Sequence, residues 1–146
     1  MQKYFLSVPQ TPEEFSVYYG FRWQQLREPL NLPLGSEQDD GEDTAYHCMA
    51  MTPRQKVVGV GRINQEGRNI MRIRYMAVDE CMRGMGLGSA IITRLLNYAV
   101  QHNAELCWLN ARDKACSFYQ KHGFEIVEET ETGLNIPHFR MEKRLN

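Results

Sequence analysis

The sequence predicts a mixed α/β fold of the α+β class, and three observations predict it. Three strand-like segments separated by turn residues precede residue 79, which is typical of an antiparallel meander. A strand, a glycine-rich turn, a long amphipathic helix and a short strand then form a strand–helix–strand unit. The length of 146 residues, with 42% hydrophobic and 24% charged side chains, suits one core. We therefore expect a single domain over residues 1–146.

Charge and cysteine usage disfavour several classes of protein. Seventeen basic and eighteen acidic side chains give a net charge of -1, which argues against a strongly basic nucleic-acid-binding protein. We expect no membrane contact, because no apolar run is long enough for a span, and no signal peptide is visible at the start. A cytoplasmic protein with reduced thiols is predicted. No metal is expected, because the cysteines lack metal-site spacing: Cys48, Cys81, Cys107 and Cys116.

The chain opens with a strand, a helix and an acidic loop, followed by the meander. Thr11 and Pro12 are typical of an N-cap and a first helical position, so a helix is predicted over residues 13–27. Residues 34–43, rich in glycine and acidic side chains, favour a loop. The strands predicted in this half cover residues 4–8, 46–51, 57–63 and 69–78. In the strand predicted over residues 69–78, alternation assigns the side chains to two faces. One face has Met71, Ile73, Tyr75 and Ala77, and the other has Ile70, Arg72, Arg74, Met76 and Val78.

The second half of the chain contains the clearest helix. Apolar side chains recur at helical spacing, which predicts a helix over residues 87–101. A short buried strand over residues 106–109 precedes a short helix over residues 115–121, and Gly123 suits a left-handed cap at its end. The remaining strands are predicted over residues 124–128 and 138–143.

A glycine-rich turn over residues 83–89 joins the meander to the long helix. Such a turn can direct successive backbone N–H groups, with the positive end of the helix dipole, toward a phosphate. A Walker loop lacks its lysine here, and the glycine spacing differs from a dinucleotide fingerprint. The pattern R-x-x-G-x-G is matched by Arg83, Gly86 and Gly88. A merely tight strand-to-helix connection is the alternative.

A second segment makes this motif specific. Residues 110–124 read N-A-R-D-K-A-C-S-F-Y-Q-K-H-G-F, and residues 78–88 match V-x-x-x-x-R-G-x-G-x-G. In this order and at this distance, the two segments resemble the GNAT acetyltransferase superfamily over residues 57–145. The resemblance implies a GNAT-like single domain. Its central twisted sheet would have six to seven mostly antiparallel strands, splayed in the middle, with about four flanking helices.

The resemblance implies transfer of the acetyl group of acetyl-coenzyme A, the cosubstrate, to an amine. The amides of the turn would hold the pyrophosphate, and the strand end over residues 76–78 would pair with the pantetheine arm. The Val78 amide would polarise the thioester carbonyl, and Asn110 would reach the pantetheine from the other side. The implied coenzyme-binding residues are Met76, Ala77, Val78, Arg83, Gly84, Met85, Gly86, Leu87, Gly88, Ser89, Asn110 and Tyr119.

The resemblance also implies an acid but not a base. Tyr119 matches the tyrosine that family members place near the coenzyme sulfur, where it would protonate the departing thiolate. Aromatic packing beside Phe118 is the alternative. Many members carry a glutamate four residues ahead of the valine that ends the strand, and Arg74 stands there in this chain. A water relay, His138 or an amine that arrives deprotonated could replace that carboxylate.

Arginines near the expected acceptor cleft suit an anionic acceptor. Arg72 and Arg74 share a strand face, while Arg22, Trp23 and Arg27 lie on the first helix, which often borders this cleft in the superfamily. The alternatives are that the arginines pair with acidic side chains, including those of the loop, and that Trp23 anchors the helix. The substrate candidates are Arg22, Trp23, Arg72, Arg74 and His138.

Three functions stay open at this point. The first is an N-acetyltransferase that acts on the primary amine of a small, anionic metabolite by direct attack. The second is a non-catalytic acyl-coenzyme A binding or sensing module, and the third is an acetyltransferase of protein N-termini or lysines. Tyr119 and the arginines both favour the first function, the acetylation of a small metabolite. A homodimer is expected only by analogy with the family.

Overall fold

The computed structural model describes residues 3–145 and builds them around one seven-stranded sheet in the order β1-β2-β3-β4-β5-β7-β6. The mostly antiparallel α+β architecture is confirmed. Among these residues there are three α-helices, where we expected about four helices, and three one-turn 3-10 helices. The strands are β1 (Phe5–Ser7), β2 (Tyr46–Met51), β3 (Val57–Gly67), β4 (Ile70–Val78), β5 (Leu106–Arg112), β6 (Glu125–Thr130) and β7 (His138–Arg144). The α-helices are α1 (Pro12–Leu26), α2 (Leu87–Gln101) and α3 (Cys116–Lys121).

The two long helices cover opposite faces of the sheet. A capping box starts α1: the Glu14 amide donates to Thr11 Oγ1 at 3.1 Å, and the Thr11 amide donates to Glu14 Oε1 at 3.2 Å. On the other face, α2 lies over Gly59 of β3. A Cβ on this glycine would lie 2.8 Å from Ile91 Cδ1. The helix therefore packs against bare backbone there, closer than a side chain would allow.

Tyr75 interrupts the regular alternation of β4. Its φ of 61° lies in the left-handed region, and the register of β4 on β3 shifts between Val60 and Arg62. This β-bulge reverses the faces of the residues that follow. Met76 packs into the core beneath α2, whereas Ala77 packs into the cluster beneath α1. The predicted faces were therefore wrong for four residues: Tyr75, Met76, Ala77 and Val78.

The bulge leads into the gap at the centre of the sheet. β4 and β5 are parallel, and their pairing runs only from Ile70–Leu106 to Arg72–Trp108. Beyond that pair the two strands separate, which confirms the expected splay. Since the second half of β4 has no strand partner on its β5 side, the gap exposes backbone groups at the middle of the fold.

Candidate active site

A cavity of about 1010 Å³ occupies the gap between β4 and β5. Its walls are the end of α1, the second half of β4, the glycine-rich turn, the end of β5, α3 and residues 131–138. All the predicted coenzyme-binding residues except Met85 line it. The side chain of Met85 is 37% exposed. The structure thus brings the two sequence motifs together around one space.

The glycine-rich turn allows an anion to come close to its backbone. Gly84 and Gly86 have φ values of 80° and 79°, which side-chain-bearing residues rarely adopt, and Gly86 is the N-cap of α2. The amides of residues 87–89 have no intrahelical acceptor, because they begin the helix. They also lie at the positive end of its dipole. The turn therefore offers several aligned donors to a phosphate.

The edge of β4 presents hydrogen-bonding groups to the cavity. The Asp79 amide donates to the Val58 carbonyl on β3 at 2.9 Å. Since successive amides of a strand point in opposite directions, the Val78 amide points away from β3, toward the gap. This edge can pair with an extended ligand as an added strand would. The Val78 amide is then placed to donate to a ligand carbonyl oxygen.

Asn110 lines the cavity from β5, and its side chain shows whether the cavity suits coenzyme A. Its Oδ1 atom is buried and has no hydrogen-bond partner within residues 3–145. A buried acceptor without a donor costs about 1–3 kcal/mol, so a ligand N–H that reaches it would be favourable. The pantetheine arm of coenzyme A carries amide N–H groups. This orphaned oxygen, the free strand edge and the donor groups of the glycine-rich turn together fit that molecule.

Tyr119 reaches the cavity from α3. Its side chain is only 8% exposed, and its ring makes edge contacts with Phe118 and Phe124. Burial raises the pKa of the Tyr119 hydroxyl, so the group is protonated at neutral pH. A protonated hydroxyl on the wall can donate to a departing anion. This placement supports the predicted general-acid role.

His138 lies at the start of β7 and is held in one tautomer. Its Nδ1 is 2.7 Å from the carbonyl oxygen of Ile136 and 3.1 Å from Thr132 Oγ1. A carbonyl can only accept, so Nδ1 carries the hydrogen and Nε2 of the neutral ring keeps its lone pair. The residue is 5% exposed and lines the cavity. A neutral imidazole in this place therefore has one nitrogen, Nε2, that can accept a proton.

Two of the predicted substrate residues lie off the cavity wall. Arg22 is fully buried, and its Nη1 donates to Glu42 Oε2 at 2.8 Å. Trp23 donates from Nε1 to the Leu32 carbonyl at 3.0 Å, which anchors α1 to the segment after it. Neither side chain is among those that line the cavity. Both contacts match the structural alternatives to substrate binding.

The other predicted arginines do line the cavity. Arg74 Nη1 lies 2.7 Å from Asp39 Oδ2, so the acidic loop offsets its charge. Arg72 Nη1 lies only within 4.0 Å of Glu66 Oε1, and its guanidinium stacks 4.3 Å from the Trp108 ring centroid. Arg27 is also on the wall, as is Arg112, which the sequence did not single out because the strand was predicted to end at residue 109.

A buried polar network centred on Arg62, which the sequence did not single out, holds the acidic loop against β3 and β4. Arg62 is 1% exposed and donates from Nη1 to Asp39 Oδ1 at 2.6 Å and to Glu42 Oε2 at 2.9 Å. Burial by itself would raise the pKa of Asp39, but hydrogen bonds from Arg62 and the Gly41 amide, with the nearby arginine charges, bring that pKa to about 2. The loop is thereby fixed beside the acceptor half of the cavity.

Two other kinds of feature, a metal site and a membrane-spanning helix, are absent from the described part of the chain. No group of three or more histidine, cysteine or acidic side chains is arranged to hold a metal ion there. None of the helices between residues 3 and 145 combines the length and the apolar character that crossing a bilayer requires.

Comparison with known proteins identifies similar chains. A family model described as an acetyltransferase (GNAT) domain matches residues 34–145. The chain is 31% identical over 137 residues to the uncharacterized N-acetyltransferase YjcF of Bacillus subtilis, which covers 93% of this chain and 96% of that relative. Both alignments contain the glycine-rich turn and the segment around Tyr119.

Solved structures share the fold. An acyl-CoA N-acyltransferase from Pseudomonas aeruginosa superposes with a TM-score of 0.81 at 20% identity, over 98% of this chain and 99% of that one. An aminoglycoside 6'-N-acetyltransferase, solved with coenzyme A, superposes with a TM-score of 0.78 at 14% identity, over 97% of each chain. At these identities the likeness shows the architecture alone.

Proposed function

Since the chain belongs to the GNAT acetyltransferase family and is therefore an acyltransferase, we propose that it moves an acetyl group from acetyl-coenzyme A to the primary amine of a small, anionic metabolite by direct attack. One observation carries the proposal. The cavity fits coenzyme A on the side of the glycine-rich turn, and arginines line its other half. The donor and the acceptor can therefore meet in one space.

The chain's own residues would hold the coenzyme along the gap. Acetyl-coenzyme A, when bound, supplies an acetyl group activated as a thioester. The amides of residues 87–89 and the Arg83 guanidinium would bind the pyrophosphate. The β4 edge and Asn110 Oδ1 would bind the pantetheine amides. The Val78 amide would stabilise negative charge that develops on the carbonyl oxygen during attack.

Two side chains would handle the protons. Nε2 of His138 would take a proton from the amine, and the hydrogen bond from its Nδ1 to Ile136 would keep the ring oriented. The Tyr119 hydroxyl would give its proton to the departing thiolate. Arg74, which stands where many family members have a glutamate base, cannot accept a proton. A histidine base on β7 therefore replaces the usual position on β4.

Specific observations disfavour the two alternative functions, a coenzyme-binding module and a protein acetyltransferase. A module that only binds the coenzyme needs neither a buried, protonated Tyr119 nor a histidine fixed in its base tautomer. An acetyltransferase of protein termini or lysines needs an open groove for a peptide, and basic side chains here disfavour a cationic substrate. A cytoplasmic location, a homodimer and a single domain over residues 1–146 remain predictions.

The experiment that tests this function compares Tyr119→Phe with the wild type. Release of free thiol would be followed with acetyl-coenzyme A and a panel of small amines, and coenzyme affinity would be measured by calorimetry. We expect turnover to fall about 100-fold or more while coenzyme affinity stays within a few-fold. Tyr98→Phe, on α2 and stacked on Tyr46, is the matched control. Equal turnover by Tyr119→Phe would exclude the acid role.

A further inference from the structure

We infer that Arg27 and Arg112 form a subsite for a carboxylate, so that the acceptor is an amine that carries a carboxylate a few bonds from its nitrogen. This inference rests on the proposed function and specifies its substrate class. It concerns the half of the cavity between the end of α1 and the end of β5.

The two guanidinium groups converge on one backbone atom. Arg27 Nη1 donates to the carbonyl oxygen of Leu26 at 3.1 Å, and Arg112 Nη2 donates to the same oxygen at 3.3 Å. Leu26 is the last residue of α1, so its carbonyl has no intrahelical donor. Two cations on different elements are thus held side by side on the cavity wall. Their remaining N–H groups include Nη2 of Arg27 and both Nε and Nη1 of Arg112.

The neighbouring arginines with a structural role are paired with carboxylates of this protein. Arg22, Arg62 and Arg74 each have a carboxylate oxygen within 2.9 Å, supplied by Asp39 or Glu42. Within residues 3–145, no carboxylate lies within 4 Å of the guanidinium of Arg27 or Arg112. The acidic loop therefore offsets one set of arginine charges and leaves this pair without an anion.

Burial makes this arrangement costly without a bound anion. Arg27 is only 8% exposed, and it hydrogen-bonds carbonyl groups alone, those of Leu26 and Ser36. Burial lowers the pKa of Arg27, and the positive charges of Arg74 and Arg112 lower it further. Burial likewise lowers the pKa of Arg112. An anion on the pair would offset this repulsion and accept hydrogen bonds from the guanidinium N–H groups that have no protein acceptor.

The surroundings favour a carboxylate over a phosphate. A planar guanidinium matches the two oxygens of a carboxylate, and two such groups can share one carboxylate. The subsite also adjoins the carbonyl end of α1, the negative end of the helix dipole. That end disfavours a doubly charged phosphate more than a singly charged carboxylate.

The position of the subsite limits the length of the acceptor. Arg112 and His138 are directly opposite each other in the pairing of β5 and β7, so their side chains leave the same face of the sheet as nearest neighbours. A molecule whose carboxylate is on Arg112 brings its amine to His138 only when few bonds separate the two groups. Amino acids acetylated at the α-nitrogen have this geometry.

The test compares acceptors that differ only in charge. Initial rates with saturating acetyl-coenzyme A would be measured for the common amino acids, for their amides, and for phosphoethanolamine. We expect turnover of at least one amino acid and a KM at least 10-fold higher for its amide. The carboxylate assignment would be overturned if the amides had the same KM as the acids. It would also be overturned if phosphoethanolamine were preferred to every amino acid.

Variants of the two arginines test whether they cause the preference for the acid over the amide. Arg112→Gln should raise the KM for the accepted amino acid about 10- to 100-fold and leave the KM for the amide unchanged, since only the acid uses the guanidinium. Arg140→Gln is the matched control, because Arg140 is on β7, pairs with Glu142 and does not line the cavity. Arg27→Lys, which keeps the charge but not the fork, is a second variant should Arg112→Gln fail to fold. Equal losses for acid and amide would contradict the subsite.

The outcome separates this inference from the proposed function. If acetyl-coenzyme A binds and only neutral amines are acetylated, the transferase stands and the carboxylate subsite is wrong. If acetyl-coenzyme A binds and no amine of the panel is acetylated, the subsite is also rejected, while the coenzyme site is retained. If acetyl-coenzyme A does not bind to the folded protein, the proposed function itself fails.

Discussion

Phe118 on α3 rests directly against Gly88 in the first turn of α2, so closely that a Cβ on the glycine would lie 3.3 Å from two ring carbons. Phe118 precedes Tyr119, the proposed acid, and Gly88 provides one of the amides of the phosphate-binding turn. The contact therefore packs the helix that carries Tyr119 against the first turn of α2, so it joins the two ends of the proposed coenzyme site. A side chain at residue 88 would disturb both ends at once.

Replacing Gly88 by Asp should abolish coenzyme binding. The new carboxylate would lie beside the amides that bind the pyrophosphate, and its Cβ would press on Phe118. We expect no calorimetric heat with acetyl-coenzyme A in a variant whose circular dichroism is unchanged. Gly20→Asp is the matched control, because nothing lies within 4 Å of a Cβ on Gly20. Unchanged affinity in folded Gly88→Asp would reject the turn as the pyrophosphate site.

Removing the imidazole of His138 should slow the chemical step. For His138→Ala we expect kcat to fall about 100-fold or more, because the amine loses its proton acceptor. Added imidazole should restore part of the rate, since truncation leaves room on the cavity wall. The other charged groups that line the same cavity, Arg112 and Glu131 among them, remain in place in this variant. His102→Ala, on an exposed residue at the end of α2, provides the comparison. A normal kcat for His138→Ala would contradict the base role.

Gly59→Ala should destabilise the protein. A Cβ at this residue would collide with Leu87 and would lie 2.8 Å from Ile91 Cδ1, so these two buried side chains, or the helix that carries them, must shift. Overpacking of this kind costs about 1–3 kcal/mol of unfolding free energy. Denaturant unfolding would measure the loss. Gly20→Ala, in an uncrowded stretch of α1, should instead gain about 0.5–1 kcal/mol. Equal stability of the two variants would show that α2 does not press on β3.

Asp39 should stabilise the protein except in strong acid. Its pKa is about 2 in the folded protein and ordinarily 3.8, so its ionised form is favoured by folding. The stability that it contributes is fully present above pH 3.8 and is lost as the pH falls through about 2. Asp39→Asn should therefore be less stable than the wild type at pH 6, and the difference should shrink below pH 4. Urea unfolding at several pH values measures this, with exposed Asp40→Asn as the control.

The sequence predicted the order and type of the elements, because hydrophobic periodicity and turn residues are local signals. Eleven of the twelve residues that the family resemblance assigned to the coenzyme line the central cavity, and their binding role stays a prediction. The β-bulge at Tyr75 was not predicted, because residues 75–78 read Y-M-A-V, an unbroken apolar run that does not show which side chains change face. Strand pairing decides such a feature, and no local pattern contains it.

The acceptor half was predicted less well, for a similar reason. Arg22, Arg72 and Arg74 looked alike in the sequence, yet Asp39 and Glu42 offset the charges of only two of them. Which arginine meets a carboxylate depends on how the acidic loop folds back over the sheet. Arg22 was a substrate candidate with pairing to the acidic loop as its alternative, and contacts between residues far apart in the chain decided for the alternative.

Calorimetric titration of the purified protein with acetyl-coenzyme A, alongside plain coenzyme A, tests the central claim most directly. The free edge of β4, the orphaned oxygen of Asn110 and the amides before Ala90 predict binding with micromolar affinity for both ligands. Binding would justify screening amines by the release of free thiol. The absence of binding in a well-folded sample would contradict the coenzyme site, and the glycine-rich turn would be no more than a connection between β4 and α2.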